Sequence, residues 1–193
     1  MKIVPIVEGH GDVEAVPVLL RRWCSAEGSA AEIARPHRLA RGKLAQEAEV
    51  RRRMQLIAKE TVPGDAVLAI FDADEDCPAT LAPLVLSWMQ SERPDRSSGV
   101  VMATAEFEAW FVASAHCLVA RGKLLAGTQP HAQPESVRDA KGWLTSRMRS
   151  RYSETVDQPS FAALFDFDEA RACSSFRKLE RELRRLLGGS VPE

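Results

Sequence analysis

The fold is decided by the stretch Ala66–Asp74, AVLAIFDAD, in which six apolar residues run directly into an Asp-Ala-Asp motif. A continuous apolar run of this length is typical of a strand that is covered on both faces of a sheet. The preceding Pro63-Gly64-Asp65 predicts a turn. The sequence therefore predicts a buried strand that delivers Asp72 and Asp74 to its carboxyl end.

Two further apolar runs also lead into acidic residues. Lys2–Val7 is followed by Glu8-Gly9-His10-Gly11, and Val100–Ala103 is followed by Glu106-Phe107-Glu108. Segments with helical spacing alternate with these runs, and Pro17 predicts that the first helix starts late or bends. Alternating strands and helices predict an α/β fold, with a mostly parallel, Rossmann-like sheet and helices on both faces.

The composition of the sequence changes near Arg121, where Gly, Pro and Gln become frequent. We therefore predict an α/β domain over residues 1–120 and a helical extension packed on it over residues 121–193. The last predicted helix, Ser174–Leu187, has one apolar face and one basic face. Glu180 and Glu182 are expected to lie on its solvated side.

Composition limits the possible classes of protein. The 193 residues carry a formal net charge of −1 and a hydrophobic content of 45%, so there is no global positive field that would by itself indicate nucleic-acid binding. No run approaches the ~18 apolar residues of a membrane span. The four cysteines form no metal-binding pair and no legible disulfide framework. We expect a cytoplasmic protein without a membrane partner.

Acidic residues follow all three apolar strands. In open parallel sheets, ligands bind beyond the carboxyl ends of the strands. Carboxylates gathered there repel one another unless a cation joins them, and hard oxygen ligands suit Mg²⁺ or Mn²⁺. The sequence therefore predicts a metal site whose candidates are Glu8, Asp12, Asp72, Asp74, Glu106 and Glu108.

Two groups of basic residues could contact phosphate. One is Arg41 and Lys43, in a loop near the predicted sheet edge. The other is the basic face of the last helix, where Arg177, Arg181 and Arg185 could bind a nucleic-acid backbone. The simpler interpretation of that face is a solvated helix surface.

The sequence also resembles known families. Glu8-Gly9 after a strand, with Asp12 downstream, and Asp72-Ala73-Asp74 after another resemble the two motifs of TOPRIM domains, found in topoisomerases, bacterial primases and nucleases of the overcoming-lysogenization-defect type. A closer resemblance, to the TOPRIM-like domain-of-unknown-function family 4276, covers nearly the whole chain. Its motifs here are Val7-Glu8-Gly9-His10-Gly11, Asp72-Ala73-Asp74-Glu75-Asp76, Glu106-Phe107-Glu108-Ala109-Trp110, Tyr152-Ser153-Glu154-Thr155 and Ser175-Phe176-Arg177-Lys178-Leu179.

The resemblance implies a mechanism and two alternative functions. Asp72 and Asp74 would hold Mg²⁺ or Mn²⁺, with Asp12, Glu106 or Glu108 completing the shell, and Glu8 would act as general acid or base or bind a second ion. The first function is a nuclease that cleaves phosphodiesters, in a defence or restriction setting. The alternative is a non-catalytic module that partners an ATPase or binds nucleic acid. A phosphotransfer domain fits poorly, because Glu75 and Asp76 follow the Asp-x-Asp motif.

Overall fold

The computed structural model describes residues 1–188, and a five-stranded parallel sheet lies at its centre. The spatial order is β2-β1-β4-β5, and β3 pairs with β1 on the same edge as β2. This arrangement confirms the predicted parallel α/β fold. The strands are β1 (Lys2–Val7), β2 (Glu32–Ile33), β3 (His37–Arg38), β4 (Ala66–Asp72) and β5 (Ser97–Ala103).

Helices fill the connections between strands and most of the chain after β5. None of the helices within residues 1–188 has both the length and the apolarity needed to cross a membrane. A short 3-10 helix covers Pro134–Ser136. The α-helices are α1 (His10–Ala26), α2 (Arg41–Leu44), α3 (Glu47–Ala58), α4 (Pro78–Glu92), α5 (Ala109–Ala113), α6 (Ala115–Ala120), α7 (Ala140–Thr145), α8 (Asp157–Ala162), α9 (Phe167–Ala170) and α10 (Ser174–Leu186).

The first helix does not start late at Pro17, so that part of the prediction is wrong. α1 begins at His10 and continues through Pro17. A proline inside a helix removes one backbone hydrogen bond, but the same stretch buries Val16, Leu20 and Trp23 against the sheet. The burial of these side chains offsets the loss of a single bond.

The sheet separates two hydrophobic cores, and alternate residues of β4 enter each of them. Leu68 and Ile70 face the layer that contains α1, α5, α7, α8 and α10. Val67, Ala69 and Phe71 face the layer that contains α3 and α4. Coverage on both faces explains why β4 is apolar from Ala66 to Phe71.

The segment after residue 120 packs on the α/β part. The ring of Phe111 in α5 lies 5.5 Å from the rings of both Phe161 and Phe165. The indole N–H of Trp110 donates a hydrogen bond to Ser175 Oγ at 2.8 Å. These contacts join α5 to the helical extension through one continuous core. The last five residues of the predicted extension, 189–193, lie outside the described residues.

The strand order contains a reversal of direction. From β1 the chain moves to β2 and β3 on one side, and then returns to β4 on the other side. Loops that leave adjacent strands in opposite directions open a crevice at their carboxyl ends, which is where open α/β sheets bind ligands. Glu8 follows β1 and Asp72 ends β4, so both residues border this crevice.

Gly11 allows α1 to approach the extension closely. A Cβ atom at this position would lie 2.6 Å from the backbone oxygen of Glu154 and would clash with Gln158. We expect Gly11→Ala to lower the free energy of unfolding by about 1–3 kcal/mol through overpacking, although alanine is the better helix former. Chemical denaturation measures the change. Gly42→Ala is the control, since Gly42 lies in α2 with no atom near its Cβ position. An equal loss in both variants would contradict this explanation.

Candidate active site at the carboxyl edge of the sheet

An acidic cavity of about 110 Å³ lies at the carboxyl ends of β1 and β4. A cavity of this size admits a few water molecules or small ions, since one water needs only about 10–15 Å³ of such space. Four of the six acids predicted from the sequence line it. Its complete lining is Glu8, Gly9, Asp12, Asp72, Glu108, Lys141, Glu154 and Gln158.

Asp12 is held from two sides. The backbone N–H of Gly9 donates to its Oδ2 at 2.8 Å, which caps the start of α1 as Asp residues commonly do in the first helical turn. The side-chain amide of Gln158 donates to its Oδ1 at 2.6 Å. This carboxylate is therefore fixed in place by the helix and by the extension together.

Asp72 and Glu108 lie deeper in the cavity. The N–H of Phe107 donates to Asp72 Oδ1 at 2.8 Å, and the Tyr152 hydroxyl donates to Glu108 Oε1 at 3.1 Å. Burial, followed by the charges of Glu108 and Asp12, raises the pKa of Asp72 well above its usual value. Burial raises the pKa of Glu108 to about 7, against the effect of Lys141. The positive charge near Asp72 and Glu108 does not offset the effect of burial on their pKa values.

Glu8 contains a buried oxygen without a partner. Within residues 1–188, no group donates a hydrogen bond to its Oε2 atom, although solvent does not reach that atom. Burial raises the pKa of Glu8, the charges of Asp74 and Asp12 raise it further, and the charge of Arg41 opposes them. An unsatisfied buried carboxylate oxygen is costly, so this atom is suited to a ligand.

Asp74 is not among the residues that line the cavity, although its charge acts on Glu8. It adopts a left-handed backbone conformation with φ of 48°, and 54% of its side chain is exposed. Arg41 Nε lies 3.6 Å from Asp74 Oδ2, and the same guanidinium forms an ion pair with Asp76. The guanidinium also lies over the ring of Phe71. Arg41 thus compensates the negative charge of the loop that follows β4.

Glu106 has a different position from Glu108. Its Oε2 accepts a hydrogen bond from the backbone N–H of Lys141 at 3.3 Å, at the start of α7. It lines a separate pocket together with Asp74 and Arg138. Of the two glutamates that were predicted together, Glu108 therefore lines the acidic cavity and Glu106 holds the extension beside it.

Lys141 was not predicted, and within residues 1–188 it is the only cationic side chain that lines the cavity. Its ammonium group lies 3.0 Å from Glu154 Oε1. Burial alone would lower the pKa of Lys141, but the charges of Glu108, Glu154 and Asp72 raise it above its usual range. A lone lysine in a loop-rich segment carries no sequence signal, whereas Glu154 belongs to a stretch that the family resemblance had already marked.

The oxygen ligands that surround the cavity suit a hard divalent cation. Within residues 1–188, however, no three acidic, histidine or cysteine side chains stand in an arrangement ready to bind a metal ion. Asp12, Asp72 and Glu108 accept hydrogen bonds from protein groups instead. The donor set fits Mg²⁺ or Mn²⁺ in its chemistry.

The predicted basic residues are divided among several partners. Lys43 lies 3.5 Å from Glu49, and Arg177 donates to the backbone oxygen of Arg171. Arg185 pairs with Glu182 and also donates to the backbone oxygen of Ser98. Arg181 borders a groove between α4 and α10, away from the cavity.

The prediction that Glu180 and Glu182 face solvent is wrong, because their residues are only 3% and 7% exposed. Glu180 accepts a hydrogen bond from the indole of Trp23 at 3.2 Å and pairs with Arg171. Glu182 pairs with Lys178 and Arg185. Ion pairing and hydrogen bonding compensate the burial of both carboxylates.

The raised pKa values make the stability of the protein depend on pH. Glu108 has a folded-state pKa of about 7 against an ordinary value of 4.5, so the folded protein binds this proton more tightly than the unfolded chain. The resulting stabilisation is present below pH 4.5 and is lost as the pH rises through about 7.

In EDTA, the free energy of unfolding should fall over this range, and the fall should be smaller in Glu108→Gln. Chemical denaturation at several pH values measures it. Glu14→Gln, which alters an exposed residue of α1, should retain the wild-type profile; a matching profile in Glu108→Gln would refute the assignment.

Comparison with known proteins gives a family and no named relative. No curated protein matches the chain significantly, and no solved structure does so. A family model described as Domain of unknown function (DUF4276) matches residues 7–184. The match includes every residue that lines the acidic cavity. This chain belongs to the DUF4276 family.

Proposed function

We propose that this protein is a metal-dependent enzyme that cleaves phosphodiester bonds in nucleic acid, with a site of the TOPRIM type. The observation that carries the proposal is the buried, unpartnered Oε2 atom of Glu8, next to carboxyl groups whose pKa values are raised. Clusters of this kind are typical of functional sites that receive a cation. The defence setting suggested by the family resemblance is part of the same hypothesis.

Asp72, Asp12 and Glu108 would hold the ion from within the cavity, with Glu8 and Asp74 on its outer side. A bound Mg²⁺ or Mn²⁺ supplies charge stabilisation to the phosphate oxygens and increases the acidity of water. The ion would replace hydrogen bonds that these carboxylates now accept from the protein.

Glu8 is the residue best placed to accept a proton. In hydrolysis, water would attack phosphorus and Glu8 would take a proton from that water. The bond from phosphorus to the leaving oxygen breaks, and the leaving oxygen takes up a proton from solvent water. A carboxylate with a raised pKa is a better base near neutral pH than an ordinary one. Arg41, which pairs with Asp74, and the exposed Lys43 of the same helix α2 would contact the nucleic-acid backbone.

One observation favours the alternative, a non-catalytic module that binds nucleic acid or an ATPase partner. Lys141 and Arg41 already compensate part of the negative charge, and a protein that never binds metal would need such internal cations. The unpartnered oxygen of Glu8 argues against this alternative, because a purely structural acid cluster has no reason to retain it. The two functions differ in their response to metal ions.

Binding of a metal ion should stabilise the folded protein. At about 100 times the dissociation constant, Mg²⁺ or Mn²⁺ adds about 2.7 kcal/mol to the free energy of unfolding, which corresponds to a rise in Tm of about 5–10 °C for a chain of this length. Asp72→Asn should abolish most of this rise. Glu75→Gln, which alters an exposed acid of the same loop, should retain it. Differential scanning calorimetry with and without the ion makes the measurement, and the absence of any rise in the wild type would argue against the metal site.

Cleavage should depend on Glu8. With Mg²⁺ or Mn²⁺, the wild type is expected to cleave DNA or RNA, and Glu8→Gln should reduce the rate by about 10²–10⁴-fold through loss of the proton acceptor. Gel assays on single- and double-stranded substrates measure the rates, and Glu75→Gln is again the control. Equal rates in wild type and Glu8→Gln would indicate a different site or a contaminant. Binding of nucleic acid without cleavage under any metal would favour the alternative function.

A further inference from the structure

A second depression lies beside the acidic cavity. It has a volume of about 320 Å³, and Lys141 and Glu154 belong to the lining of both spaces. We call it the outer depression. All its lining residues come from the helical extension, namely Asp139, Lys141, Gly142, Thr145, Arg151, Tyr152 and Glu154.

The two spaces differ in the size of group that they admit. The acidic cavity, at about 110 Å³, has room only for small ions or a few water molecules. The outer depression, at about 320 Å³, reaches the lower end of the range of small-molecule sites, roughly 300–1,000 Å³. A phosphate with its attached sugar therefore fits the outer depression and does not fit the cavity.

Among the residues that the structure describes, Arg151 is the one cation of the outer depression that no other side chain pairs with. Asp139 Oδ1 accepts the N–H of Gly142 at 2.7 Å, and Glu154 pairs with Lys141 at 3.0 Å. Arg151 is exposed, and it forms no ion pair or hydrogen bond with another side chain in the part of the chain that the structure describes. A guanidinium group of this kind can bind phosphate through two parallel hydrogen bonds.

The backbone beside Arg151 is tied to the acidic cavity. The N–H of Tyr152 donates to Thr145 Oγ1 at 3.2 Å, and the hydroxyl of Tyr152 reaches Glu108. Arg151 therefore directly precedes a residue that is bound to α7 and to Glu108, and its own exposed side chain lines the outer depression.

We propose that Arg151, with Lys141 at the inner end, forms a phosphate-binding subsite in the outer depression. The subsite gives a nucleotide strand its direction of approach, with its phosphate over the extension and its scissile bond toward the carboxylates. The identity of the ligand as part of a nucleic acid rests on the proposed function, whereas binding of a phosphate by Arg151 does not.

The test uses thymidine 5′-monophosphate as probe and the full chain in EDTA, followed by amide chemical shifts in ¹⁵N-labelled protein. The signals of residues 139–154 should shift on titration. Arg151→Ala should raise the dissociation constant by about tenfold. This factor corresponds to the free energy that one charge-assisted hydrogen bond contributes at a partly exposed position. Arg149→Ala is the matched control, since Arg149 is an exposed arginine of the same loop that does not line the outer depression.

Equal weakening in both variants would overturn the subsite, because it would show only a general electrostatic effect. Shifts confined to other parts of the protein, or no saturable binding, would overturn it as well. The rise in Tm caused by Mn²⁺ should be the same in Arg151→Ala and in wild type. If phosphate binding depends on Arg151 but the protein shows no response to metal, the proposed function is wrong. The phosphate-binding subsite would still be supported.

Discussion

Carboxylates that lie close together in a poorly hydrated cavity repel one another, and each loses hydration that it had in the unfolded chain. Asp72 and Glu108 experience both effects, which is why their pKa values rise. The neighbouring core of β1, β4 and α5 would be more stable with apolar groups in these positions. The rest of the structure around the sheet edge can be understood as compensation for this unfavourable cluster.

Most of that compensation comes from the helical extension. Tyr152 donates to Glu108, Gln158 donates to Asp12, and Lys141 brings a positive charge. The extension reaches these positions because its aromatic residues share a core with α5 and because Gly11 lets α1 approach it closely. Packing of the extension and electrostatics of the cavity are therefore coupled.

The acids also form two groups with separate counter-charges. Within the cavity, Lys141 pairs with Glu154 and compensates part of the charge of the buried acids. Outside it, Arg41 pairs with Asp74 and Asp76. Glu8 lies between the groups and feels the charges of both Asp74 and Asp12. Neither cation supplies a donor to its Oε2 atom. Within residues 1–188, the Oε2 atom of Glu8 therefore keeps no hydrogen-bond partner although acids lie near it.

The sequence by itself determined the parallel sheet and the edge at which acids gather, because apolar runs followed by acids at turns are local patterns. It also placed Glu8, Asp12, Asp72 and Glu108 among the candidates. Only the tertiary structure decided that Glu106 binds the start of α7, that Glu180 and Glu182 are buried, and that Lys141 lines the cavity. These outcomes depend on contacts between residues far apart in the chain, and no local pattern of hydrophobicity or charge records which distant groups will meet.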